Sequence, residues 1–280
     1  MNTKTTVSFS VLSGKGGVGK SNLALNLCYC LHQLGNTVLL MDSDMGLANI
    51  DVLLGISPDG DIQDIFLENK SPSDILVPIG PSGTEGFDLL PANSGMAAFA
   101  DLEAEARNLL REKLNPLADR YDFFALDVGA GISPTALSFG AMTTVRVVVI
   151  TPEPTSLTDS YALMKVLSAT HDITNFHLLV NQVESHAEGK QTYNRLALVC
   201  ERFLGFRPEY LGPVRSDRMV TESVRKQKPF SQVNPKSPAS EDCMKIAEKL
   251  RDIRRSLLEN RNMPEPLRDL AQRREPSAQE

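Results

Sequence analysis

The chain lacks any apolar run approaching the ~18 residues that a bilayer-spanning helix requires, and 23% of its 280 residues are charged. An integral membrane protein built on apolar helices is excluded. It also lacks the ~7 to 15 residue apolar core and small-residue cleavage site of a secretory signal. Met1-Asn2-Thr3-Lys4-Thr5-Thr6 runs directly into a strand-like segment, so a cytoplasmic protein is expected. Cysteine is scarce: Cys28, Cys30, Cys200 and Cys243 contain no CxxC pair. Neither a disulfide framework nor a structural zinc site is expected, and reduced thiols are the reading. Positive charge is not in excess either. A net charge of -6 speaks against a general polyanion binder, so no specific nucleic-acid partner is expected, although a local basic patch is still allowed.

What the chain does have is an alternation of short apolar runs with longer helix-compatible stretches. The runs are Val7 to Leu12, Thr37 to Met41, Phe87 to Leu90, Phe123 to Val128, Val145 to Ile150, His177 to Asn181 and Tyr210 to Pro213. Several, above all Val145-Arg146-Val147-Val148-Val149-Ile150, are apolar almost throughout, as parallel strands covered on both faces are. Helices are predicted over Ser21 to Leu34, Glu103 to Leu114, Leu157 to Ala169, Gln191 to Phe203 and Glu241 to Leu258. The expected fold is α/β: a doubly wound, mostly parallel sheet with helices on both faces. The stretch 58–86, rich in Pro, Gly, Ser and Asp, reads as loops around short helices. One domain is expected over 1–260, and 261–280, with Pro264, Pro266 and Pro276, reads as a mobile tail.

Directly after the first run comes Gly14-Lys15-Gly16-Gly17-Val18-Gly19-Lys20-Ser21. It matches the G-x-x-x-x-G-K-[ST] phosphate loop in the strand-to-helix setting that the motif needs. The glycines let backbone N–H groups close around phosphate oxygens. Lys20 can neutralise the β and γ oxygens, and Ser21 can ligate Mg²⁺ at a helix start whose dipole also favours anions. ATP and Mg²⁺ are the implied ligands.

Carboxylates stand at other strand ends. Asp42 and Asp44 leave the second run on the same side of an extended chain, so one can face the metal while the other reaches an attacking water. Asp127 closes the fourth run, before Val128-Gly129-Ala130-Gly131-Ile132-Ser133. That is the place of a metal-holding aspartate followed by a segment able to move toward the γ-phosphate. In Thr151-Pro152-Glu153-Pro154-Thr155-Ser156-Leu157-Thr158-Asp159-Ser160 the hydroxyls read as helix caps. Asn181, at a further strand end, is either an adenine-edge contact or a turn asparagine.

The second loop lysine, Lys15, makes the segment resemble the deviant Walker ATPases of the MinD/ParA superfamily. In them this lysine reaches the nucleotide across a face-to-face dimer, as an arginine finger does. The segments Asp42 to Gly55, Asp127 to Ser133, Thr151 to Leu163 and Val224-Arg225-Lys226-Gln227-Lys228-Pro229-Phe230 are similar, more narrowly, to the flagellar number regulators of the FlhG/FleN branch. The resemblance covers most of 7–260. It implies that Lys15, Lys20 and Ser21 act on phosphate and Mg²⁺, that Asp44 positions the water, and that Asp42 and Asp127 serve the metal shell. It further implies an ATPase that dimerises with ATP and limits flagellar number or placement, working with a flagellar GTPase, a transcriptional regulator or basal-body proteins.

Three departures from that pattern stand out. No extension carrying the glutamine-containing motif that stimulates the GTPase is expected before the first strand. Val128 replaces a common threonine, and Arg215 replaces a proline beside the adenine. The competing readings are a positioning ATPase for division or DNA, and an iron-sulfur carrier. The carrier would need interface cysteines, whereas the four here fall within helical stretches. Late in the chain Ile246, Leu250, Ile253 and Leu257 repeat at helical spacing. This stripe is expected to pack on the sheet rather than on anionic lipid, which leaves membrane or cell-pole attachment as a weak, conditional role.

Overall fold

The computed structural model describes residues 5–44, 49–67, 70–80, 86–92, 104–260 and 263–270. Among them are eight strands: Val7–Leu12 (β1), Val38–Ser43 (β2), Val77–Ile79 (β3), Phe87–Leu90 (β4), Phe123–Val128 (β5), Val145–Ile150 (β6), Phe176–Val183 (β7) and Glu209–Arg215 (β8). The helices are Lys20–Gln33 (α1), Ile50–Leu54 (α2), Ile62–Leu67 (α3), Ala104–Ala118 (α4), Pro134–Met142 (α5), Pro154–His171 (α6), His186–Leu204 (α7), Arg218–Arg225 (α8), Phe230–Val233 (α9) and Pro238–Glu259 (α10). All seven runs read from the sequence are strands. Short β3 was missed because Pro78 interrupts it inside a turn-rich stretch.

The strands form one sheet in the order β3-β4-β2-β5-β1-β6-β7-β8, parallel except for the β3–β4 pair. The chain winds outward from β1 in both directions, which makes the carboxyl end of β1 the point where ligands of open α/β sheets bind. Alternate residues serve opposite faces. Phe9, Phe123, Ala125, Val147 and Val149 pack with α1 and α10, whereas Phe124, Leu126, Val148 and Ile150 pack with α5, α6 and α7. Burial on both faces explains why these strands read as unbroken apolar runs.

Arg146 is the exception, and it lies wholly buried. Its guanidinium donates to the carbonyls of Gly140 (2.9 Å), Ala141 (3.1 Å), Thr143 and Thr144 (3.2 Å), and to Asn175 Oδ1 (2.7 Å). A cation thus caps the carboxyl end of α5, where the helix leaves carbonyls without partners. Arg146→Met keeps bulk but orphans those carbonyls, so it should lower stability by about 3 kcal/mol. Urea unfolding measures this, and a loss below ~1 kcal/mol would mean that water replaces the guanidinium.

In α10, Ile246 and Leu250 are buried, and Ile253 and Leu257 pack partly covered against the same core. The helical stripe is occupied inside the fold. The expectation of a mobile tail from 261 does not hold for residues 263–270. Leu267 is fully buried, and it exchanges hydrogen bonds with the Asn115 amide (2.9 and 3.1 Å). The Arg268 N–H donates to Met142 O (2.9 Å), and Glu265 pairs with Arg111 (2.9 Å). A single inserted leucine with paired backbone groups is enough to dock the segment. Residues 261–262 and 271–280 lie outside the described part. No helix among the described residues is long and apolar enough to cross a membrane.

Candidate nucleotide site

β1 delivers the glycine-rich loop to the start of α1. A Cβ on Gly14 would stand 2.1 to 2.4 Å from the backbone of Asp159 and Ser160 in α6, so only glycine fits there. Gly19 has φ 85, and a Cβ on it would meet Asn181 Nδ2 at 2.6 Å. By contrast, a Cβ at Gly16 or Gly17 would meet nothing within 4 Å. The loop therefore encloses an open concavity lined by backbone, a shape suited to phosphate oxygens. Two bonds hold it: Ser13 Oγ donates to Lys15 O (2.9 Å), and the Gly131 N–H donates to Ser13 O (2.9 Å). The second joins the loop after β5 to the phosphate loop.

Lys20 is 7% exposed, and its Nζ lies 2.8 Å from Oδ1 of Asp127, whose side chain is 1% exposed. Oδ2 of Asp127 is buried with no hydrogen-bond partner. Burial pushes the Asp127 carboxyl up, while the Lys20 ammonium and the Ser21 hydroxyl pull it back. A buried oxygen aimed at nothing, beside a serine hydroxyl and under a phosphate cradle, suits Mg²⁺. That ion takes few protein ligands and completes its shell with water and phosphate. The residues present thus fit the metal.

Asp42 pairs with Asp127 across the β2–β5 ladder. Burial raises its carboxyl, and the Asp127 charge raises it further. Its oxygens accept from the backbone N–H groups of Asp44 (3.0 Å), Asn49 (3.0 Å) and Ile50 (3.2 Å). The structure thus gives Asp42 a task that sequence spacing did not show: it organises the turn from β2 into α2. Asp44 reaches the loop after β5. A Cβ on Gly129 would stand 3.2 Å from Asp44 Oδ1, and the Asp44 charge bears on Asp127. Lys20, Ser21, Asp42, Asp44 and Asp127 are accordingly brought to one end of the sheet.

Lys15 turns out of its own loop. Its Nζ lies 2.5 Å from Glu153 Oε2 and 3.0 Å from Thr155 Oγ1, with the two ion-paired side chains 37% and 60% exposed. Glu153 was missed as a partner, although it stands in the quoted 151–160 stretch. Only the fold brings that stretch beside the loop. The hydroxyls of that stretch are also used differently from helix caps. Ser156 Oγ accepts from Thr151 N–H (3.0 Å), and the residue before α6, Glu153, makes no side-chain cap.

Asn181 donates to Val18 O (2.8 Å), bracing the phosphate loop from β7. Arg215 is directed away from the loop: Nε and a terminal nitrogen grip both Asp242 oxygens at 2.7 and 3.0 Å. Any contact it makes with a base falls to its backbone. Val128 points into the core with Phe124 and Leu126, which leaves only its main chain near the site. All four cysteines are unpaired thiols in buried positions, and burial pushes the thiols of Cys28, Cys30, Cys200 and Cys243 up.

Comparison with known proteins agrees with this geometry. The AAA_31 family, described as AAA domain, matches residues 6–183. The antiactivator FleN of Pseudomonas aeruginosa is 36% identical over 241 residues, spanning 86% of this chain and 85% of that one. The flagellum site-determining protein YlxH of Helicobacter pylori is 32% identical over 248 residues, spanning 88% and 82%. Among solved structures, the cell division ATPase MinD of Pyrococcus furiosus superposes with a TM-score of 0.72 at 23% identity, covering 88% of this chain and 99% of that one. MinD of Pyrococcus horikoshii, solved with Mg-ADP, gives 0.72 at 22% identity, covering 89% and 97%. Phosphate loop, aspartate constellation and sheet order therefore converge: the chain belongs to the AAA_31 family, as a P-loop ATPase of the MinD/ParA type in the branch of FleN and YlxH.

Proposed function

We propose that this ATPase is a switch that dimerises with ATP and sets the number or placement of flagella. The observation that carries the switch is Lys15, a loop cation turned away from its own phosphate cradle toward the surface, where a second copy can present its nucleotide. The loop backbone from Gly14 to Gly19, with Lys20, holds the phosphates, and Asp44 orients the attacking water. Ser21 and Asp127 hold Mg²⁺, which supplies charge neutralisation at the phosphate oxygens, while Asp42 serves that shell by fixing the β2–α2 turn. Asn181 and the backbone at Arg215 flank the base.

The relatives' names support the flagellar assignment. "Antiactivator" fits a transcriptional regulator as partner, and "site-determining" fits basal-body proteins or a flagellar GTPase. Exposed apolar residues on α7 support the docking of a protein partner. The outward face of α7 exposes Leu198, Val199 and Phe203, a cluster that water-facing helices rarely keep without use. A peripheral place at the membrane or cell pole finds less support, because the α10 stripe is taken up by the core.

The assignment is tested by counting filaments in cells lacking the gene. An altered number or position, restored by the wild-type gene but not by Lys20→Ala, is expected. An unchanged count in cells that still build flagella would overturn the flagellar role while leaving the ATPase intact.

A further inference from the structure

Far from the phosphate loop, the edge strand β8 lies between the amino end of α7 and the middle of α10. A cavity of about 300 Å³ there is lined by His186, Tyr210, Pro213, Lys245 and Lys249, among others. We propose that this depression binds a phosphate-bearing anion, held by the ammonium groups of Lys190, Lys245 and Lys249.

Helical spacing assembles the site. His186 and Lys190 are four residues apart on α7, and Lys245 and Lys249 four apart on α10; His186, Lys245 and Lys249 line the cavity, and Lys190 stands at its edge over the Tyr210 ring. Lys190 Nζ sits 4.6 Å from the Tyr193 ring centre and 4.5 Å from that of Tyr210, and Lys249 Nζ is 5.7 Å from the Tyr210 ring. The aromatic faces hold two like charges beside one another. No ion pair joins Lys190, Lys245 or Lys249 to a carboxylate among the described residues.

The one carboxylate lining the cavity, Asp242, is already neutralised. Arg215 takes both its oxygens, and His186 Nε2 lies 2.9 Å from Oδ1. The Tyr210 side chain lines the cavity, while its hydroxyl is buried without a hydrogen-bond partner and closed to solvent. Lys249 donates to Leu211 O (2.6 Å), which covers part of the open strand edge and anchors the ammonium there. Burial, and after it the neighbouring Lys190, pulls the Lys249 ammonium down. A multiply charged anion between the two lysines would relieve that repulsion, as phosphate does in lysine-lined sites. The 19-residue helix α7 begins at His186 and adds its positive end.

Phosphate of this kind comes from solution or from a lipid headgroup, and the test separates them. Inorganic phosphate is titrated into protein saturated with Mg-ADP, so that the nucleotide site is filled, and amide resonances are followed residue by residue. Saturable shifts are expected at 186–190, 210–213 and 245–249, with affinity falling about tenfold or more in Lys190→Gln/Lys249→Gln. Lys190→Gln alone, which removes no backbone bond, repeats the test should the double variant fold poorly.

In parallel, phosphatidylglycerol vesicles are sedimented with both proteins. Lysine-dependent sedimentation without a phosphate titration assigns a headgroup, and the converse assigns a soluble phosphate. Shifts confined to 14–21, shifts that never saturate together with no sedimentation, or binding indifferent to the lysines would overturn the proposal. None of these outcomes bears on the flagellar role, which the filament count tests separately.

Discussion

Asp44→Ala is expected to slow ATP turnover by about two to four orders of magnitude while leaving nucleotide affinity within a few fold. Lys20 pairs with Asp127 and is the residue proposed to grip the phosphates, whereas Asp44 lies over Gly129, in the loop after β5. Its removal therefore takes away orientation of the water without dismantling the cradle. Lys20→Ala should behave differently, and for two reasons. The phosphates lose their principal cation, so binding itself fails. Asp127 is also left buried with no counter-charge, which should cost the protein about 3 kcal/mol.

The sign of the pH effect follows from burial. Without the ammonium the Asp127 carboxyl rises further, so the folded chain takes up a proton that the unfolded chain does not. The deficit against wild type then grows as pH climbs above the ordinary carboxylate range. Adding Asp127→Asn to Lys20→Ala should recover stability but not binding. Phosphate release, nucleotide titration and urea unfolding read these quantities. Equal loss of affinity in the Asp44 and Lys20 variants would reject the division of roles.

The second large effect is at Lys15. If it supplies charge to a partner's nucleotide, Lys15→Ala should lower turnover about 10³-fold or more, within the range of a trans-acting cation. Its contact with Glu153 sets how easily it leaves. Both side chains are substantially exposed, and such a pair is worth roughly 0 to 1 kcal/mol. A thousandfold rate effect corresponds to about 4 kcal/mol, so the ion pair does not compete with the transition-state contact. Glu153→Gln should then leave turnover within a few fold. Light scattering adds the structural half of the test: Asp44→Ala should be dimeric with ATP and monomeric with ADP. A monomer at saturating ATP, or full turnover in Lys15→Ala, would remove the dimer from the mechanism.

The fold class and the phosphate loop were legible in the chain because both depend on local pattern. Strands buried on both faces must be apolar throughout, and a phosphate cradle needs glycines followed by a lysine and a serine within one strand-to-helix turn. The carboxylates at Asp42, Asp44 and Asp127 were visible for the same reason, since each stands at or just beyond the carboxyl end of an apolar run.

Tertiary structure alone decided whatever depends on partners distant in sequence. Arg146, hidden in an apolar run, is a buried cation because α5 ends beneath it. Lys15 meets Glu153 across 138 positions. Leu267 escapes a proline-rich tail because α4 offers it Asn115. Asp42 became a brace for the β2–α2 turn, and Arg215 turned from the base to Asp242. Spacing records which side chains share a strand or helix. Which ones share a low-dielectric interior, with their charges and hydrogen bonds satisfied there, is settled only when the sheet assembles and brings distant segments within a few ångströms.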